Sequence, residues 1–144
     1  MSSIEERFSA ALHGTARSWR LVIDRRLKHL GMSQASWMAI AFIAKHKQSM
    51  SQTKLASAVG VEDPTMVATI DRLVKAGYVV RTPSETDRRV KLVSLTEQGQ
   101  DIYQSVWKEA AAVRLELLGK ADPAALRIAT EFLETMQADI ESLL

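Results

Sequence analysis

The order of apolar and polar positions divides the chain into helices and one short strand pair. From the start, Ile4, Phe8, Ala11, Leu12, Trp19, Val22, Ile23, Leu27 and Leu30 keep helical spacing. They predict one long amphipathic helix that ends at Gly31. Ser33 can cap a second helix whose apolar mass is Trp37, Met38, Ile40, Ala41, Phe42 and Ile43. A polar break, His46 to Met50, follows. Ser51 then caps a short helix with Leu55, Ala56 and Val59 on one face, and Gly60 stops it. Val61 can turn its side chain back into the core.

The next helix has Asp63 as expected N-cap and Pro64 at the first helical position, where a missing N–H costs nothing. Val67, Ile70, Leu73 and Val74 read as its buried stripe and Gly77 closes it. Thr65, Met66, Ala68, Thr69, Arg72 and Lys75 are left for the solvent face. Tyr78 to Arg81 reads as a strand, and Val90 to Leu95 alternates with period two. The polar stretch Thr82 to Arg89 between them makes a hairpin longer than a minimal turn. Thr96 can cap a helix through Ile102, Val106, Ala110, Val113 and Leu117, ended by Gly119. Asp122 and Pro123 open a last helix carrying Leu126, Ala129, Leu133, Met136, Ile140 and Leu144.

The expected fold is therefore mainly α with a small two-stranded β-wing: a winged helix-turn-helix over residues 51–96, flanked by long helices. Two short helices joined by a glycine-bearing turn are a plain helical hairpin as readily as a DNA reader. The wing that follows them favours the DNA reader. On the second helix, threonine hydroxyls can reach base edges or phosphates, and Arg72 and Lys75 suit phosphate. Pro64, Thr65, Ala68 and Thr69 complete that face. In the wing, Arg88 and Arg89 cannot both point the same way on a strand. One projects at the tip and the other pairs with Asp87. A tip arginine suits a narrow minor groove, whose negative potential attracts a guanidinium.

Composition narrows the picture without deciding it. At 144 residues the chain has the length of one domain, and it contains no cysteine, so disulfides, thiolate metal sites and thiol redox chemistry are excluded. No apolar run is long enough to span a bilayer, and the start, MSSIEERFSA, lacks the apolar stretch of a signal peptide. A cytoplasmic location is expected. The net charge of +2 is too small to argue for nucleic acid. Its distribution says more: residues 1–50 hold eight Lys/Arg against three Asp/Glu, and residues 101–144 hold four against eight. Residues 81–91 carry Arg81, Arg88, Arg89 and Lys91 against Glu85 and Asp87. His13, His29 and His46 show no metal-ligand spacing, and no nucleophile triad or glycine-rich phosphate loop is present. Neither an enzyme, a metal nor a cofactor is expected.

Asp87-Arg88-Arg89, followed by Leu95-Thr96-Glu97-Gln98-Gly99, resembles the wing signature of the MarR family of regulators. Trp19 to Lys28, Gly60 to Val67 and Thr69 to Leu73 are similar to its SlyA branch. The resemblance covers roughly residues 10 to 105 in detail. It implies a twofold dimer built from residues 1–30 and 97–144. It also implies a pocket for small aromatic carboxylates such as salicylate, with Arg17 for the carboxylate, Trp37 as an aromatic wall and Thr69 on the far side. A helix-end salt bridge for Arg17 and core packing for Trp37 are the plainer readings of the same residues. Ala41 stands where SlyA-like chains carry histidine. Ala68 stands where they carry a base-reading arginine, so a bidentate guanine contact, typically ~1–3 kcal/mol of discrimination, is missing.

The expected function is that of a dimeric, sequence-specific DNA-binding transcriptional regulator that reads a palindromic operator and answers to a small aromatic ligand. A winged helix that docks proteins without DNA specificity is the alternative.

Overall fold

The computed structural model describes all residues, 1–144. Met1–Ala110 form one compact unit and Ala111–Leu144 a second, the division falling within a helix. In the first unit, α1 (Ile4–Arg26) opens on Ser3, whose hydroxyl accepts from the Glu6 N–H while the Glu6 carboxylate accepts from the Ser3 N–H. This reciprocal pair is a capping box. The helix stops earlier than the apolar spacing suggests. A single 3-10 turn, Lys28–Leu30, carries the pattern on to Gly31, which adopts a left-handed φ of 67°. α2 (Gln34–His46) is capped by Ser33 and buries Trp37, Ala39, Ile40 and Ile43.

The helix-turn-helix consists of α3 (Gln52–Val59) and α4 (Asp63–Lys75). Ser51 caps α3 by accepting from the Lys54 N–H, and Gly60 ends it at φ 84°. α4 begins one residue before the sequence-based expectation, with Glu62 in the N-cap position and Pro64 inside the first turn. Both placements suit proline, because the first four N–H groups of a helix have no intrahelical partner. Asp63 then lies in the first turn, where the helix dipole favours negative charge.

The sheet differs from expectation. Beyond the wing strands β2 (Val79–Pro83) and β3 (Lys91–Leu95), a two-residue strand β1 (Met50–Ser51) pairs antiparallel with β3, giving the order β1-β3-β2. Met50 faces Val93 on one side of β3, and Arg81 faces Val93 on the other. Two residues cannot display a period, so β1 leaves no pattern in the polar break. It is held by the buried Met50 and covers one edge of β3. Pro83 ends β2, at the edge strand where a missing N–H is tolerated.

One core joins α2, α3, α4 and the sheet: Ile40, Leu55, Met66, Ile70, Leu73, Val79 and Val93 are buried together. α5 (Glu97–Leu118) starts against this core, and Thr96 fastens its first turn. The Thr96 hydroxyl donates to the Gly77 carbonyl (2.6 Å) and accepts from the Gly99 N–H (3.0 Å). Gly99 is required by proximity. A Cβ built there would run into the Tyr78 carbonyl oxygen. Gly99→Ala should therefore destabilise the chain. The helix-propensity gain of about 0.5–1 kcal/mol is smaller than the roughly 1–3 kcal/mol of overpacking against a backbone that cannot yield. A fall in the urea midpoint checks it; an unchanged or raised midpoint would show that α5 can shift at no cost.

In the second unit, α6 (Pro123–Glu141) is capped by Asp122, whose carboxylate accepts from the Ala125 N–H. α6 has no buried residue in the single chain. No helix is long and apolar enough to cross a membrane.

Candidate nucleic-acid interface

The orientation of α4 decides which side chains can meet DNA, and it is not the one its valines suggest. Met66, Thr69, Ile70 and Leu73 are the buried residues, while Val67 and Val74 are about 40% exposed. The apolar spacing instead puts Met66 and Thr69 on the solvent face, and Val67 and Val74 in the core. The helix is turned by roughly 60°, a little over half of one residue's rotation, from that expectation. The two stripes share Ile70 and Leu73. The packing chose the one containing Met66, whose unbranched side chain fills an irregular core where a valine leaves space. Thr69 is accommodated because its hydroxyl donates to the Thr65 carbonyl at 2.8 Å. A hydroxyl satisfied within its own helix is cheap to bury.

Opposite the buried stripe lie Pro64, Ala68, Asp71 and Lys75, flanked on one side by Thr65 and Arg72 and on the other by Val67 and Val74. All are exposed. Of the sequence-expected contacts on this helix, Pro64, Thr65, Ala68, Arg72 and Lys75 therefore share an accessible surface. Thr69 does not. From beneath the helix it accepts a long hydrogen bond from Arg72 Nη2 (3.4 Å) and so steadies that arginine. Val67 belongs on the surface, a place the sequence does not suggest, because an apolar side chain on an amphipathic helix reads as core.

The wing loop is ordered by short-range bonds. The Ser84 N–H donates to the Val90 carbonyl and the Val90 N–H to the Asp87 carbonyl, both at 2.9 Å. Asp87 takes Arg89: Nε to Oδ1 at 3.2 Å, Nη2 to Oδ2 at 3.4 Å, and the Arg89 N–H to Oδ1 at 3.1 Å. Arg88 has no such partner and is exposed. The two adjacent arginines lie in the turn before β3 rather than on a strand, and the Asp87 pairing, not strand alternation, divides them, with Arg88 the free guanidinium.

Arg81, which sequence counting places among the wing cations, is committed elsewhere. Its Nε donates to Gln52 Oε1 (2.6 Å), and its Nη2 to Asp71 Oδ1 (2.8 Å) and to the Val67 carbonyl (3.5 Å). The free positive charge of the wing rests on Arg88, Lys91 and the part of Arg89 not held by Asp87. Partners 10 and 29 residues away leave no local sequence signal for this role.

The three residues expected to meet a ligand are in dissimilar settings. Arg17 is exposed on α1. Trp37 is 6% exposed, and its indole N–H donates to Asp24 Oδ1 at 3.2 Å, tying α2 to α1. Thr69 is fully buried. For Trp37 and Thr69 this is core packing, the outcome favoured for a large aromatic. A cleft of about 380 Å³ does lie beside the recognition helix, lined by other residues, among them Met32, Ser33, Ser36, Arg72 and Tyr78.

Comparison with known proteins agrees with this architecture. The model of the MarR family matches residues 30–90, from the turn before α2 to the end of the wing loop. The solved structure of transcriptional regulator PA3341 is 36% identical, with a TM-score of 0.86, over 94% of this chain and 98% of that one. CouR from Rhodococcus jostii RHA1, solved bound to p-coumaroyl-CoA, is 18% identical with a TM-score of 0.78, over 94% of this chain and 95% of that one. The transcriptional regulator SlyA is 17% identical with a TM-score of 0.79, over 94% of each chain. At such identities the likeness to CouR and SlyA is one of fold, and it does not single out the SlyA branch. The family match on the helix-turn-helix and wing, joined to 36% identity along nearly all of a transcriptional regulator, shows that the chain belongs to the MarR family of DNA-binding transcriptional regulators.

Proposed function

We propose that the protein acts as a homodimer on a palindromic operator, with α4 in the major groove and Arg88 in the neighbouring minor groove. The observation that carries this reading is the division of labour in the wing: Asp87 holds Arg89 and leaves Arg88 as a free, exposed guanidinium beside a helix whose accessible face offers Thr65, Arg72 and Lys75. Arg72 and Lys75 suit phosphate, and Thr65, Val67 and Ala68 suit base edges and thymine methyls. Ala68 offers no base-reading guanidinium at the centre of that face, so the wing, DNA shape and half-site spacing carry more of the specificity.

Dimerisation is supported by apolar surface that one chain leaves in solvent. Ile128, Leu133 and Ile140 on α6 and Leu115 and Leu117 on α5 are between 38% and 73% exposed. Exposed apolar surface on this scale marks an interaction site. A second copy through residues 1–30 and 97–144 is the occupant that twofold DNA recognition calls for. A regulator of this kind works where chromosomal DNA is, in the cytoplasm.

We further infer a small aromatic carboxylate, or an aromatic acyl derivative of the kind bound to CouR, as effector. Arg17 is the member of the expected ligand set that such a molecule reaches without rearrangement, and guanidinium geometry matches a carboxylate. Release of DNA can then be no stronger than the ligand's preference for the non-binding dimer geometry.

Selection of bound duplexes from a random pool, with and without salicylate, tests the whole reading. The expected product is a twofold-symmetric site with half-sites one helical turn apart, ~34–36 Å, enriched less strongly when salicylate is present. A pool that stays random at low salt would overturn operator recognition and favour a protein-docking role. An asymmetric site would overturn the dimer. Identical enrichment in both arms would remove salicylate as effector.

A further inference from the structure

We propose that Arg81 is a positioning residue for DNA recognition: it locks the recognition helix to the wing and cancels a carboxylate that would otherwise face the phosphates, without taking a phosphate itself. The proposal rests on the DNA-facing assignment of α4 given above.

Three elements meet at this one guanidinium. Arg81 lies on β2, two residues before that strand ends. It bonds Gln52 in the first turn of α3, Asp71 in the third turn of α4, and the Val67 carbonyl one turn earlier on α4. The Val67 carbonyl has a second lone pair beyond the one used within the helix, so the bond costs α4 nothing. The major-groove element and the root of the minor-groove element are thereby set at one angle by a planar group with donors in fixed directions. Lysine, a point charge on a flexible stem, cannot reproduce that fork.

Asp71 lies in the middle of the outward face of α4, between Ala68 and Lys75, and its side chain is 59% exposed. A bare carboxylate there would oppose the phosphate backbone that Arg72 and Lys75 are placed to attract. Arg81 Nη2, 2.8 Å away, offsets it, and only 25% of the Arg81 side chain is exposed. With Nε and Nη2 both in use, Arg81 is poorly placed to release counterions from DNA, whereas Arg88 is free to do so.

The test measures binding of the full chain to a mixed-sequence duplex about three helical turns long across a salt series, with thermal unfolding of each variant alongside. Arg81→Ala should bind roughly tenfold more weakly at low salt, with the slope of log K against log salt unchanged, because every phosphate keeps its cation. Adding Asp71→Asn to Arg81→Ala should recover the part of that affinity lost to the bare carboxylate, and the remainder should stay lost because the lock is gone. Asp71→Asn alone should stay within about twofold of the parent, and Arg81→Lys should bind better than Arg81→Ala because it keeps the offsetting charge. A slope reduced by about 0.9, with no recovery in the double variant, would make Arg81 a phosphate ligand and overturn the proposal. Equal weakening of the single and double variants at unchanged slope would reduce Arg81 to support of the fold and overturn it too. If Arg81→Ala does not fold, Arg81→Lys alone decides: a reduced slope or no change in selectivity among sequences refutes the positioning role. Failure of the parent to bind any duplex would strike the DNA-facing assignment itself.

Discussion

Met66→Ala is expected to lower stability by about 2–5 kcal/mol, the range for truncating a buried methionine or leucine, whereas Val67→Ala should change it by roughly 0.5 kcal/mol or less. Met66 has no exposed surface and packs with Ile40, Leu55 and Ile70 in the core of the DNA-reading lobe. Its truncation leaves a cavity under α4 that rigid neighbours cannot close. Val67 is 40% exposed and loses little when shortened. Urea unfolding of the two variants checks the contrast. Because a native domain is stable by only about 5–15 kcal/mol, Met66→Ala should also reduce DNA binding indirectly at elevated temperature. Val67→Ala should leave folding intact and alter which sequences are preferred. The reverse order of stabilities would mean that α4 is turned about its axis and buries its valines instead.

Arg88→Ala is expected to weaken binding to every duplex sequence, by about tenfold or more because a dimer forfeits a guanidinium in each half-site. The salt slope should fall by about 0.9 for each phosphate left without its cation. Arg89→Ala should do less, because Arg89 already shares its charge with Asp87. Exposed ion pairs contribute little to folding, so neither change should alter the melting temperature appreciably. Titration of labelled duplex at several salt concentrations separates the outcomes. Unchanged affinity for Arg88→Ala across the series would remove the wing tip from the interface. A larger effect for Arg89→Ala would mean that Asp87 gives up its partner when DNA arrives.

Much of the architecture is legible because its signals are local. Ser51, Gly60 and the Asp122–Pro123 pair start or stop helices through the conformation and hydrogen bonding of their own few residues. The alternation from Lys91 to Leu95 marks β3 in the same way. The Asp87–Arg89 pair spans two residues, so it too can be anticipated as one of two choices. Gly99 belongs to a recognisable motif, yet its reason, the approach of the Tyr78 carbonyl, joins residues 21 apart and shows only in three dimensions.

The candidate site is legible in part. Arg72, Lys75 and Arg88 are exposed cations wherever α4 and the wing are placed, and their types alone suggest phosphate. Thr69 and Trp37 are harder, because a threonine can be satisfied inside its own helix and a tryptophan can bury its ring while its N–H finds a carboxylate 13 residues away. The partner of Trp37 lies outside the local pattern, while the i−4 carbonyl that serves Thr69 is present in any helix and so does not tell a buried threonine from an exposed one.

The sequence by itself determined, to within a few residues, where the helices begin and end, that a hairpin follows the second short helix, and which residues carry charge at its tip. Capping, turn chemistry and strand alternation act over two to five residues, so they are written in neighbouring letters. Only the tertiary structure decided the rotation of α4, the third strand at Met50, and the engagement of Arg81 by Gln52 and Asp71. Each of these depends on which volume must be filled or which charge lies near in space. Two stripes that share Ile70 and Leu73 differ by less than one residue's rotation, and the burial of Met66 in the core that holds Ile40 and Leu55 chose between them.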